Sequence, residues 1–265
     1  MARFLATAPG YLDDWQDNLI EGVTPADFEE DLRRGDGGEL VDGPTGPAKF
    51  RAAFSSSALA VNTFGPFRRQ PTRLSLAGVT GFELVEFEYP CENGLIGGNP
   101  NFDLFGRTAA TVVAVESKFL EPLRSRPASF SDQYARPFRG TPTHPAVAEA
   151  PWANMYSRLR DDPQTYRYLD AAQLVKHYLG LIHAFPDRHR TLMYLYWEPS
   201  NATEFGPYRD LRREVADFAT AVATCETRFV ALSYPSLWRE WQHNQSRTDL
   251  SAHLERLRQR YEFVL

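Results

Sequence analysis

No stretch of this sequence approaches the ~20 consecutive apolar residues that a bilayer-spanning helix requires, which excludes such a helix. Cysteine is scarce: Cys91 and Cys225 alone cannot build a zinc ribbon or a disulfide framework. The six histidines form no H-E-x-x-H pattern and no close ligand pair. A phosphate-cradling P-loop, a dinucleotide fingerprint and a G-x-S-x-G nucleophile elbow are all missing. An excess of positive charge is missing too: 29 Lys and Arg stand against 34 Asp and Glu, a formal net charge of −5. That excludes a non-specific nucleic-acid coat, which would be basic. It does not exclude a nuclease, because a cleft can be locally basic and bound cations offset repulsion from phosphate.

Hydrophobic residues make up 43% and charged residues 24% of the 265 residues, which suits a globular protein with one sizeable core. The opening "MARFLATAPGYLDDW" has one Arg, a short apolar patch and then acids. The expectation is a chain without a signal peptide, cytoplasmic, with both cysteines as reduced thiols. "TPADFEEDLRRG" predicts a short helix capped by Thr24, with Pro25 and the acids early, Arg33 and Arg34 late, and Gly35 at its end. "AKFRAAFSSSALAVNTF" predicts a helix over 47–63 that stops before Gly65 and Pro66. Strands are predicted over 82–89, 101–107 and 109–120, the last two as a hairpin turning around Gly106 to Thr108. Residues 122–168, rich in Pro, Arg and aromatics, read as irregular, with room for short helices or a mobile insertion. A helix over 169–184 carries Leu174, Val175, Tyr178, Leu179 and Ile182 on one broad side. A strand over 190–198, a helix in "PYRDLRREVADFATAVAT", a strand in "TRFVALSYPSLW" and a closing helix follow. The fold class is α/β, with residues 1–44 as a helical N-terminal extension and 45–265 as a single compact unit.

The chemistry gathers in "NPNFDLFGRTAATVVAVESKFLE". An apolar, β-branched run, Val112 to Val115, passes straight into Glu116, Ser117 and Lys118, and Asp103 stands in the strand before it. Alternation along a strand puts Val112, Ala114, Glu116 and Lys118 on one face, and Asp103 with Asn101 and Phe105. In a hairpin Asp103 would lie close to Glu116. Two carboxylates about 4 Å apart repel by ~4 kcal/mol at an effective dielectric near 20. Lys118 compensates in part, and a divalent cation could bind both acids. Hard oxygen donors suit Mg²⁺, with Mn²⁺ as a substitute. Such an ion polarises a phosphoryl oxygen and acidifies a bound water, which Lys118 could orient or deprotonate. The plainer alternative is a cross-strand salt bridge at a sheet edge, worth 0–1 kcal/mol when exposed.

Pro100-Asn101-Phe102-Asp103 followed by Glu116-Ser117-Lys118 resembles the signature of the PD-(D/E)xK nuclease superfamily, and the wider pattern is similar to a bacterial restriction-endonuclease-like branch. The resemblance implies a core of helix, three strands, helix and strand around a mixed central sheet. It implies Asp103 and Glu116 as metal ligands, the Ser117 carbonyl as a further ligand, Lys118 as the water-positioning base and Gln173 beside the active site. Two departures stand out. Asn101 and Phe102 separate the Pro from the Asp, and the helix over 47–63 has no acid for the extra carboxylate that some members place there. Glu39, Glu86 and Glu88 are the candidates to supply it.

Gln173, Lys176 and His177 share a side of their helix and could hold a phosphate; the bland reading is a solvated face. Trp197, Trp238 and Trp241 could stack unpaired bases, but core packing accounts for them better. Arg68, Arg69, Arg73, Arg124, Arg126, Arg136 and Arg139 could track a phosphate backbone. The expected function is thus a Mg²⁺-dependent endonuclease acting on nucleic acid, double-stranded DNA by family habit, a restriction endonuclease whose two-fold symmetric target would favour a homodimer. The alternative is an inactive nuclease-fold module that binds nucleic acid or a protein partner.

Overall fold

A five-stranded mixed sheet in the order β1-β2-β3-β4-β5 divides the protein into two helical layers. The structure is a computed structural model that describes residues 10–34, 38–44, 46–95, 99–124, 126–138, 148–243 and 250–265. Arg139, Gly35 and the first nine residues of the expected extension lie outside the described residues. The strands are β1 (Leu84–Pro90), β2 (Asn101–Arg107), β3 (Thr111–Lys118), β4 (His189–Tyr196) and β5 (Arg228–Ser233). β1, β2 and β3 pair antiparallel, whereas β3, β4 and β5 pair parallel. The helices are α1 (Glu29–Arg34), α2 (Ser56–Arg69), α3 (Ala135–Phe138), α4 (Ala150–Asp161), α5 (Ala171–Ala184), α6 (Gly206–Ala221), α7 (Tyr234–His243) and α8 (Ser251–Tyr261).

The apolar run of β3 follows from its place at the centre of the sheet. Val113 and Val115 face a core built with α2, α7 and α8, while Val112 and Ala114 face a second core built with α4, α5 and α6. A strand covered on both faces needs apolar side chains at every position, not at alternate ones. Ile20, Val23, Phe28 and Leu32 from the N-terminal segment join the first core.

α1 also protects the sheet edge. Asp31 accepts the Phe87 N–H of edge strand β1 at 3.1 Å and is held by Arg68 at 2.7 Å. A free strand edge invites pairing with another chain, and a covering charge blunts it. Asp31→Ala leaves the Phe87 N–H without its acceptor and Arg68 with only the more distant Glu86 (3.8 Å) among the described residues, and is expected to cost about 3 kcal/mol. Urea denaturation measures this; a loss within experimental error would show that Asp31 is not a strut.

Four expectations change. The helix over 47–63 is displaced to 56–69: Ser55 caps its start through the Ala58 N–H (3.1 Å), and it runs through Gly65 and Pro66. His253 of α8 donates to the Thr63 carbonyl at 3.3 Å there, so helix backbone next to the proline has a partner from outside the helix. Residues 122–168 hold the twelve-residue α4, whose Trp152, Met155, Tyr156 and Leu159 are buried at helical spacing. "TRFVALSYPSLW" is strand only to Ser233; the Ser233 hydroxyl accepts the Ser236 N–H, Pro235 sits in the first turn, and α7 begins. The hairpin turn falls at Thr108–Ala110, where the Thr108 hydroxyl accepts the Thr111 N–H at 2.9 Å.

Candidate active site

The sheet forks at its centre. The β2–β3 ladder runs from Arg107↔Val112 to Leu104↔Val115. Beyond that pair β2 stays with β1 as far as Asn101↔Pro90, and β3 stays with β4 as far as Lys118↔Tyr196. The next pair on the β2–β3 register is Asp103 opposite Glu116. There the Asp103 carboxylate accepts the Ser117 N–H at 2.6 Å, so a side chain takes over the strand's backbone donor. Simple alternation would send Phe102 and Phe105 to opposite faces, yet both rings lie in the α5-side core, 6.3 Å apart. The pleat therefore shifts phase around Asp103. On β1, Glu88 adopts a left-handed φ of 45°, a conformation that costs a non-glycine residue about 1 kcal/mol or more.

Glu116, 1% exposed, is the most deeply buried of the acids in the cleft, where Glu39 and Glu88 are buried too. Its Oε1 pairs with the Lys118 ammonium at 2.5 Å, and Lys118 also donates to the Gln173 Oε1 at 2.8 Å. Gln173 is placed by the N-terminal turn of α5, where Asp170 accepts its N–H. The Glu116 Oε2 has no hydrogen-bond partner. His177, one turn beyond Gln173, sets its Nδ1 3.4 Å from that oxygen, and Nδ1 is likewise unpartnered. Burial, with Lys118 and Lys176 nearby, pushes His177 down to about 3, so the ring is neutral and the contact is not an ion pair.

A cleft of about 910 Å³ holds Asp103, Glu116, Ser117, Lys118 and Gln173 together with Glu39, Lys49 and Glu88. The loop before α2 delivers Glu39, which pairs with Lys49 at 2.8 Å and accepts from the Ser57 hydroxyl at 2.9 Å. The acid that α2 lacks thus reaches the first turn of α2 from outside the helix. Glu86 does not join: it lies with Arg34 and Arg68. The Ser117 hydroxyl is engaged with Tyr234 at 2.6 Å, which leaves its backbone for the cleft.

Lys176 leaves the site as well; its ammonium sits 5.6 Å from the rings of Phe130 and Tyr134. Arg124 and Arg126 line the cleft. Arg68 and Arg69 are paired with Asp31 and Asp27, and Arg73 with Gln70. Trp197, Trp238 and Trp241 are all buried, so core packing accounts for them and base stacking does not. Lys49 and the serines at 55–57 were absent from the sequence-derived site, because their segment reads as helix interior.

The charges oppose one another. Burial and the Glu116 charge hold Asp103 well above the usual carboxylate range. Burial, against the pull of Lys118, puts Glu116 at about 7, and burial with Asp103 and Glu39 puts Glu88 at about 8. Burial alone would discharge Lys118, but Glu116 and Asp103 outweigh it and keep the ammonium. Between the ordinary value of 4.5 and these raised values, the folded protein keeps protons that the unfolded chain has lost. Stability therefore falls as pH rises across that window. His177 acts oppositely between about 3 and 6.5, so above 6.5 only the carboxylates remain. Metal-free protein is expected to lose stability from pH 6.5 to 8; a melting temperature that stays flat or climbs would show that these acids are not strained.

An open five-stranded mixed sheet with helices on both faces and acids at a strand fork defines a restriction-endonuclease-like α/β protein. The model of one family, described as restriction endonuclease associating with ARP, matches residues 8–262, and the chain belongs to that family. No curated protein and no solved structure matches it significantly. Among the described residues, no helix is long and apolar enough to cross a membrane.

Proposed function

We propose that this protein is a metal-dependent endonuclease of the PD-(D/E)xK type, hydrolysing phosphodiester bonds in double-stranded DNA at the β2–β3 fork. The observation that carries this is the Glu116 Oε2: a fully buried carboxylate oxygen without a partner, in a fork shared with a second carboxylate. Among the described residues no cluster of three His, Cys, Asp or Glu forms a ready metal cage. Two carboxylates beside a backbone carbonyl are hard oxygen donors of the kind Mg²⁺ takes together with waters and substrate phosphate. Asp103, Glu116 and the Ser117 carbonyl are the donors we assign, with Glu88 beside Asp103 on the neighbouring strand and Glu39 also in the cleft. Bound there, the cation supplies charge neutralisation and an acidified water.

In the metal-free protein the Glu116 and Asp103 charges hold Lys118 as an ammonium, which can orient the attacking water by donating to it and offset phosphate charge. Gln173 fixes the Lys118 ammonium and so acts through it. The thiols of Cys91 and Cys225 are free, in keeping with a cytoplasmic protein. The family is described as associating with ARP, and we extend that association to this chain as its protein partner.

Calorimetric titration with Mg²⁺ and Mn²⁺, on wild type and on the Asp103→Ala/Glu116→Ala variant, followed by incubation with plasmid DNA, tests the reading. Binding and cleavage lost together in the variant support it. Binding without cleavage by wild type would point to the inactive nucleic-acid- or protein-binding module. No metal binding, even with DNA present, would leave the fork as a salt bridge.

A further inference from the structure

Next to the cleft, and sharing Lys118, Arg124 and Arg126 with it, lies a second and smaller pocket. It adds Arg167 and Tyr168 from the turn before α5, and Tyr194 from β4. Its volume is ≈ 20 Å³, room for about one water-sized group. Tyr194 is 0% exposed and its hydroxyl has no partner, although a buried phenol normally finds one. Tyr194 is the β4 register partner of Glu116, so this pocket abuts the fork directly.

The pocket sets Lys118, Arg124, Arg126 and Arg167 against Glu121 and Asp170, and the charges that act on the Tyr194 hydroxyl itself are those of Glu116, Asp170 and Glu121. Its two acids are turned to backbone: Asp170 accepts the Gln173 N–H at 3.1 Å and Glu121 the Phe119 N–H at 2.7 Å. Arg124, Arg126 and Arg167 make no salt bridge among the described residues. The turn that carries Arg167 is held firmly: the Glu214 carboxylate of α6 accepts the N–H groups of Arg167, Tyr168 and Leu169 at 2.8–2.9 Å.

We propose that this pocket is a second phosphate subsite, which seats one oxygen of a neighbouring nucleic-acid phosphate on the Tyr194 hydroxyl, with Arg167 and Arg126 at its rim. The ligand class rests on the nuclease reading of the adjoining cleft. The subsite sets the path of the strand: from the carboxylates at the fork, over the 121–126 loop, toward Arg167. An internal phosphodiester and a 5′-terminal phosphate share this chemistry.

Equilibrium binding of a fluorescent DNA duplex, with and without a 5′-phosphate, is measured in EDTA across a salt series. The proteins are wild type, Arg167→Ala, Arg167→Lys and Tyr194→Phe. Arg167→Ala is expected to weaken binding about tenfold and to lower the slope of log K against log salt by about 0.9, the loss of one phosphate contact. Arg167→Lys restores the slope, which separates lost charge from a damaged fold. Tyr194→Phe weakens binding about threefold at unchanged slope, since it removes a neutral donor. An effect confined to the phosphorylated duplex assigns a terminal phosphate; an equal effect on both assigns an internal one. A slope that Arg167→Ala leaves unchanged, or no salt-dependent binding by wild type, overturns the subsite. Cleavage with an Arg167-independent slope would sink this inference alone, whereas Arg167-dependent binding without metal-dependent cleavage would sink only the nuclease reading.

Discussion

Asp103→Asn is expected to lower divalent-cation-dependent DNA cleavage by about 10³-fold or more while leaving the fold at least as stable as wild type. The two effects separate because of where Asp103 stands. Its carboxylate accepts the Ser117 N–H at 2.6 Å, and an asparagine oxygen can accept the same bond, so the fork keeps its geometry. What disappears is the negative charge, which burial and Glu116 already oppose. Loss of that charge removes a proposed cation donor and a repulsion together. Cleavage rates at saturating Mg²⁺, set beside melting temperatures for both proteins, check the pair of effects. A variant that cleaves within tenfold of wild type would remove Asp103 from the site. One that loses cleavage only because it unfolds would make Asp103 a structural residue.

Lys118→Met should do the reverse and damage the fold as well as the chemistry. Glu116 is 1% exposed, and among the described residues its pairing with Lys118 at 2.5 Å is its only ion pair to a charged group. With that partner gone, a buried carboxylate stands alone, which costs about 3–5 kcal/mol. The penalty depends on pH with a definite sign. Glu116 already titrates near 7 with Lys118 present, and without the ammonium it would hold its proton to higher pH. At pH 5 the acid is neutral in both proteins and the penalty shrinks; at pH 8 it is largest. Urea denaturation at the two pH values measures the difference. Adding Glu116→Gln to Lys118→Met should recover most of the loss at pH 8, because the unpaired charge is gone. An unchanged penalty in the double variant would trace the damage to lost packing of the lysine stem.

Much of this site was legible because it lies within two adjacent strands. The apolar run of β3, ending on Glu116-Ser117-Lys118, predicted a strand inside the sheet that ends on charged residues, and the hairpin placed Asp103 near Glu116. Gln173 followed from helical spacing and its family resemblance. The long-range partners were not legible. Glu39 reaches the cleft only because the loop before α2 folds back onto Ser57, and no periodicity encodes that approach. Glu86 and Glu88, two residues apart, looked equivalent; the phase shift around Asp103 and the left-handed φ at Glu88 put one in the cleft and the other against Arg34 and Arg68. α4 did carry a legible signal, Trp152, Met155, Tyr156 and Leu159, masked by the prolines and arginines around it. α2 runs through Gly65-Pro66, contrary to local propensity, with its backbone partnered by His253 at 3.3 Å, a residue distant in the chain.

The sequence alone determined the α/β class, the order of the core elements and the pairing of an acid with an E-x-K strand end, because these rest on local alternation, local periodicity and short chain separations. Tertiary structure alone decided which acids converge, which arginines make no salt bridge among the described residues and where the Tyr194 hydroxyl is buried. Each of those depends on desolvation and on charges brought together from distant segments, and neither has a value until the chain has closed around the fork.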